Sequence, residues 1–178
     1  MDIKLVEKLK DLGADGFSHL NGSLMAHLKG TYELLKNWGN DEILCNAGLF
    51  HAVYSTSGYK EQLIILENRN VIKSIIGSDA EKIVYNYCAC DRDNFWPKIG
   101  NILKPTFKDR FTGDEYIVET EWLQNFCELT LANELEIAEN SETFIKEFGA
   151  ELWPLFIRMK PYVSSAAYGS FCELSAAK

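Results

Sequence analysis

The chain has little histidine, little positive charge and no long apolar run. Its 178 residues carry 18 lysines and arginines against 26 aspartates and glutamates, a net charge of −8 with an isoelectric point near 4.9. Such an acidic surface argues against non-specific binding to nucleic acid or to an anionic membrane, both of which need basic patches. It still allows a small anionic ligand held by a few local Lys or Arg side chains. No segment approaches the roughly 20 apolar residues of a membrane span. Residues 1 to 10 are a charged amphipathic stretch without the apolar centre of a signal peptide. The expectation is a cytosolic protein that binds neither nucleic acid nor membrane. There is no repeat, no low-complexity tract and no Pro/Gly-rich linker. A chain of this length, 47% hydrophobic, can bury one substantial core as a single domain, 1–178.

Several enzyme signatures are also missing: there is no G-x-x-x-x-G-K-[ST], no G-x-G-x-x-G after a strand, no G-x-S-x-G elbow and no H-E-x-x-H. The five cysteines are odd in number and irregular in spacing, and Cys88-Ala89-Cys90 is neither a C-x-x-C pair nor half of a zinc ribbon. Cys45, Cys88 and Cys127 fall inside apolar helical patterns, which reads as buried, reduced thiols.

What is present is mostly helical periodicity. Ile3, Leu5, Val6, Leu9 and Leu12 mark a helix over 2–12 stopped by Gly13. Leu24, His27, Leu28, Thr31, Leu34, Leu35 and Trp38 mark a second, begun by Ser23 and ended at Gly39. Asn40-Asp41 caps a third through about Val53, where Gly48 permits close approach of a neighbouring helix. A short helix is expected over 68–76, and Ser78-Asp79-Ala80-Glu81 reads as a capping box opening a helix to about Cys90. Thr112-Gly113-Asp114 lies between two short extended pieces in 108–118, a small hairpin. A long helix is predicted over 121–140 and another over 141–159, the latter kinked or broken by Pro154. Residues 165–178 are small and polar and read as a loose tail. The predicted fold class is all-α, with seven to nine helices and at most one small hairpin.

All three histidines lie within 33 positions and none occurs in the following 127 residues. That clustering favours a shared pocket over isolated core histidines, whose ring nitrogens would simply be paired with backbone or carboxylate. If Ser23 begins its helix, His19 lies on the preceding loop, two helical turns ahead of His27. A short connection at 39–41 makes the second and third helices antiparallel, so His27 and His51 fall at the same end of the pair, with ring centres predicted within about 10 Å.

Three segments in order, His27, then Ala47-Gly48-Leu49-Phe50-His51-Ala52, then Leu131-Ala132-Asn133-Glu134-Leu135-Glu136, resemble the metal-site motifs of the HD superfamily, and Ile76 to Val84 resembles the helix that follows the His-Asp motif in its ppGpp hydrolases. The resemblance covers about residues 19–140, with C-terminal helices over 141–163 beyond it. It implies an HD-like helical bundle and a metal-dependent phosphohydrolase or a di-iron oxygenase acting on a small molecule. The chain departs from the pattern at Ala52 and Asn133, which stand where the two ligand aspartates belong. A metal shell here would draw on His19, His27, His51 and Asp91, with Fe, Mn or Zn as the divalent cation. Arg92 is either part of a solvated helix end with Asp91 or the polar wall of a cleft, where its fork suits a carboxylate or phosphate. Tyr54 offers a hydroxyl three residues after His51, and Asn133 a hydrogen bond to a ligand or to a histidine; with Arg92 these are the candidate catalytic residues. Three functions remain open on these residues: a metal-dependent enzyme with an altered shell, a metal-free enzyme using histidine as general base, and a non-catalytic module binding a small molecule or a protein.

Overall fold

The computed structural model describes residues 1–19 and 22–177, and of His19 the backbone only. The helices are α1 (Ile3–Asp11), α2 (Leu24–Asn37), α3 (Glu42–Phe50), α4 (Arg69–Ile76), α5 (Ser78–Cys88), α6 (Arg92–Phe95), α7 (Thr120–Asn140), α8 (Glu142–Met159) and α9 (Ser165–Ala177). Two antiparallel hairpins interrupt them, β1 (Ser18–His19) with β2 (Gly22–Ser23), and β3 (Thr106–Lys108) with β4 (Glu115–Ile117). The hairpin around Gly113 was legible in the sequence; the β1–β2 pair is an addition to it, too short to leave a period-2 pattern. No helix among the described residues is long and apolar enough to cross a membrane.

Helix α7 is the centre of the fold. Thirteen of its 21 residues are buried, on every side rather than along one stripe. Packed around it are α2, α3, α5, α8 and α9. Helices α2 and α3 lie along each other, and their separation is set by Gly48: a Cβ there would meet Leu35 Cδ1 at 2.4 Å. The Ser23 hydroxyl accepts from Ala26 N–H and the Asp41 carboxylate from Leu44 N–H, fixing the starts of α2 and α3. Gly39, at φ 84°, supplies the left-handed residue between them.

Three expectations need correction. The capping box at Ser78 does not form. Gly77, at φ 85°, is the N-cap, and the Glu81 side chain turns inward, fully buried, to take two hydrogen bonds from Arg69. The partly buried Arg69 guanidinium, with two N–H donors, competes for that carboxylate better than one backbone N–H does. Pro154 does not break α8, which runs through it. The carbonyl it leaves without a donor belongs to Ala150, and both residues sit on the exposed face, where that carbonyl is open to solvent and its loss of an N–H costs little. Residues 165–177 are not a loose tail but a docked helix. Phe171, 4% exposed, packs edge-on against Trp153 and Phe156, while the Trp38 indole N–H donates to Ser170 Oγ at 2.9 Å.

Four cysteines are buried and free, and Cys172 is exposed. Burial pushes the Cys45 thiol up to about 11 and Cys88 up to about 12, and raises Cys90 and Cys127 as well. The thiolate is the reactive form. Native protein at mildly alkaline pH should therefore react with Ellman's reagent through one thiol within minutes, against all five after unfolding; a second fast equivalent would contradict this burial.

Candidate functional site

Helix α2 brings His27 inward one turn from its start, and α3 ends at His51. Their rings meet edge to face with centroids 5.1 Å apart and Nε2 atoms 3.3 Å apart. Both are nearly inaccessible, His27 at 4% and His51 at 2%. Asn133 of α7 meets the same atom, its Oδ1 at 3.0 Å from His27 Nε2.

The partners behind these atoms determine what they present to one another. His27 Nδ1 pairs with the Glu136 carboxylate, and His51 Nδ1 lies 2.7 Å from the Gly48 carbonyl. Both partners only accept, so each Nδ1 carries the hydrogen. In the neutral form of each ring, the Nε2 is then the lone-pair nitrogen. The amide of Asn133 is oriented in the same way: its Nδ2 donates to Glu134 Oε1 at 2.8 Å, which turns Oδ1 toward the histidines. Two acceptors, His51 Nε2 and Asn133 Oδ1, thus lie within 3.3 Å of a third, His27 Nε2. A contact of 3.0 Å between two lone pairs is repulsive unless a positive centre joins them, either a proton on Nε2 or a metal cation.

The donor set fits a cation. Separations of 3.0 and 3.3 Å match the edge between adjacent ligands of a metal whose bonds to nitrogen and oxygen are about 2.0–2.2 Å long. Pairing the distal ring nitrogen with a carboxylate or a carbonyl is the arrangement that holds imidazole ligands in place. Imidazole and amide oxygen together suit a borderline divalent ion. Among the described residues no group of three or more His, Cys, Asp or Glu converges on such a centre, so Asn133 is the third donor they offer.

Around this centre lies a second layer. Glu134, 3% exposed, accepts from Asn133 and from Arg92 Nη1 at 2.8 Å. Arg92 also donates to the Tyr87 hydroxyl at 3.3 Å and lies over the Trp96 ring. Burial pulls the Arg92 guanidinium down, but the Glu134 charge beside it outweighs that and holds Arg92 above its ordinary value. Tyr87 in turn meets the His51 ring edge-on at 5.5 Å. His27, His51, Asn133 and Arg92 therefore belong to one polar network.

Two other sequence candidates, Asp91 and Tyr54, make their hydrogen bonds elsewhere. Asp91 serves as N-cap of α6, its carboxylate accepting from Asn94 N–H, because a four-residue helix start in a turn needs that acceptor. Tyr54 is fully buried and donates to Glu81 at 3.0 Å, so its hydroxyl faces the Arg69 pair and not the histidines. Burial, with the Glu81 charge beside it, raises the Tyr54 phenol far above its usual range. The side chain of His19 lies outside the described residues.

Glu136 and Gly30 were not singled out, although the spacing held the signal: both lie three residues from a site residue, on the same helical face as Asn133 and His27 respectively. A Cβ on Gly30 would meet Glu136 Cγ at 2.6 Å, so the bare glycine makes room for the carboxylate that holds His27. Alanine usually stabilises a helix interior relative to glycine by up to about 1 kcal/mol. Here the sign should reverse: Gly30→Ala is expected to cost about 1–3 kcal/mol in urea unfolding, as overpacking does, and to shift the His27 ring resonances. Unchanged stability and unchanged resonances would mean that Glu136 does not hold the ring. Arg92→Ala, which strands the buried Glu134 charge, should cost about 3–5 kcal/mol by the same measurement.

Residues 8–92, a little under half of the chain, match a family model described as a domain of unknown function, DUF6817. The match spans both histidine helices and Arg92 and stops short of α7, which supplies Asn133, Glu134 and Glu136. No curated protein and no solved structure matches the chain.

Proposed function

We propose that the chain is a metal-dependent hydrolase of small phosphoesters on an HD-like helical scaffold, with a divalent cation, Fe, Mn or Zn, held by Nε2 of His27, Nε2 of His51 and Oδ1 of Asn133. The observation that carries the reading is the convergence of these three lone pairs, with hydrogen-bond partners behind each that keep them aimed inward. What such a cation supplies when bound is Lewis-acid polarisation of a phosphoryl oxygen and of water. All three donors are neutral, so little of the ion's charge is cancelled by its ligands. That favours hydrolysis over oxygenase chemistry, whose iron sites pair two histidines with a carboxylate. The protein's part is positional: Glu136 keeps His27 in the tautomer that presents Nε2, Gly48 does so for His51, and the Arg92–Glu134 pair fixes the Asn133 amide.

A second reading is a non-catalytic module in which the same triad is a proton-sharing tie between α2, α3 and α7. The near-complete burial of both rings favours it. Metal and proton are separable by experiment. Untagged protein expressed with Mn, Fe or Zn should retain more than about a tenth of an equivalent of metal, and His27→Ala should abolish it. Asn133→Asp removes the amide donor to Glu134 and sets two carboxylates side by side; Ala52→Asp buries another. The double variant should therefore be less stable without metal and bind it at least about tenfold more tightly than the wild type. No gain in a Mn or Zn titration would end the HD-like reading and leave the proton-sharing tie.

A further inference from the structure

A second site lies on the other side of Tyr87. A half-open groove of about 610 Å³ runs between the start of α3, the outer face of α5, strand β4 and the first turns of α7. That volume is in the range of small-molecule sites, about 300–1,000 Å³. Its walls are aromatic: Tyr116 from β4, Trp122 and Phe126 stacked on each other from α7, and Tyr87 at the inner end. Tyr116 and the adjoining Ile117 are 38% and 58% exposed, so apolar surface is left facing the groove mouth.

The rim carries Asp41, Asp79, Glu119 and Glu121 against the single cation Lys82, a formal balance of −3. Three helices begin here, and the partial positive charge at a helix start, about half a unit each, reduces that to roughly −1.5. The potential stays negative, within a chain of net charge −8. Among the described residues Asp79, Glu119 and Glu121 enter no ion pair, so their charge is available to a ligand. Electron-rich ring faces and carboxylates together attract a cation with an apolar body, by cation–π contact and by charge. An anion meets only Lys82 and the wrong sign elsewhere.

We infer that this groove binds a small organic cation, an amine or quaternary ammonium on an apolar or aromatic body. The body lies against Trp122 and Tyr116 and the charge faces Glu119 and Glu121. The site needs no metal at the histidines and stands if the hydrolase reading falls. Its inner wall is nevertheless the ring that touches His51, so a ligand seated here lies one side chain from the His27–His51 pair.

Three probes sharing a phenyl body separate charge from apolar burial: 2-phenylethylammonium, 2-phenylethanol and phenylacetate. Each is titrated into the full chain while the Trp122 indole N–H resonance, assigned by its loss in Trp122→Phe, is followed. The ammonium should give a saturable shift at least about tenfold tighter than the alcohol, and phenylacetate should not saturate below about 10 mM. Glu119→Gln with Glu121→Gln, both exposed positions that leave the core intact, should reduce ammonium binding about tenfold, to the level of the alcohol, without changing the alcohol. Equal affinity for all three probes, no saturable binding of the ammonium, or an ammonium preference that survives the double variant would overturn the inference.

Discussion

Helix α7 carries polar side chains through the middle of an apolar core, and each has to be satisfied there or destabilise the fold by about 1–3 kcal/mol. The solutions to that constraint account for much of the tertiary structure. Glu128, 4% exposed, accepts from Asn40 at the α2–α3 turn and from both the backbone N–H and the hydroxyl of Ser164. It thereby ties the C-terminal helix to the first helical pair. Two residues on, Thr130 returns its hydroxyl to the Phe126 carbonyl. Asn133 and Glu136 take up His27, and Glu134 takes up Arg92 from α6. Four neighbouring pieces of chain are thus addressed by one helix, each through a directional bond whose partner is a particular residue and not just an apolar face.

The candidate centre follows from this arrangement and not from surface chemistry added to it. A carboxylate at position 133 would have made a charged ligand but would also have lost the donor that Glu134 needs. With asparagine, the amide satisfies Glu134 on one side and offers an oxygen to the histidines on the other. The negative charge of the network is displaced outward, to Glu136 beside His27 and to Glu134, where Arg92 cancels it. In the metal-binding reading proposed above the three inward donors would be neutral, which would lower cation affinity and leave an ion held there more strongly polarising. On that proposal, affinity and electrophilic strength would trade against each other at Asn133.

Much of this was legible in the sequence and some was not, for physical reasons. Helical periodicity, Ser23 and Asp41 as caps, and Gly39 between them were enough to put His27 and His51 at one end of an antiparallel pair, since chain direction alone requires it. Gly48 marked the close approach of α2 and α3. Glu81 was misread because its local motif, a serine three residues before a glutamate, is the same whether the carboxylate caps a helix or enters the core; the deciding residue, Arg69, is 12 positions away. Asp91 shows the converse, a carboxylate offered to the histidine cluster by the sequence and used by the fold as a local helix cap. Helix α9 left no leucine stripe to read: it docks through Phe171, the small buried Ala167 and the Ser170 hydroxyl that takes the Trp38 N–H. Tyr54 lies near His51 in sequence, but its side chain is drawn to the Arg69–Glu81 pair on the other side of the chain.

The segment that follows His51 is held unusually firmly for a loop. The Cys88 thiol donates to the His51 carbonyl at 3.0 Å. Arg110 donates from Nε to the Cys88 carbonyl and from Nη2 to Ser55 Oγ. Ser55 itself sits at φ 66°, a conformation that costs a non-glycine residue of order 1–3 kcal/mol and persists only where its surroundings over-determine it. Tyr54, between them, is tied to Glu81 and through it to Arg69. A histidine serving only as core filler needs none of this bracing, because side-chain packing tolerates small backbone shifts at the end of a helix. A histidine whose Nε2 must keep its distance from a second imidazole does need it: a displacement of about 1 Å, which loose packing would permit, is enough to lose such a geometry. Ser55, held in this conformation by Arg110, lies four residues after His51, so the bonds that fix it also limit how far the end of α3 can shift.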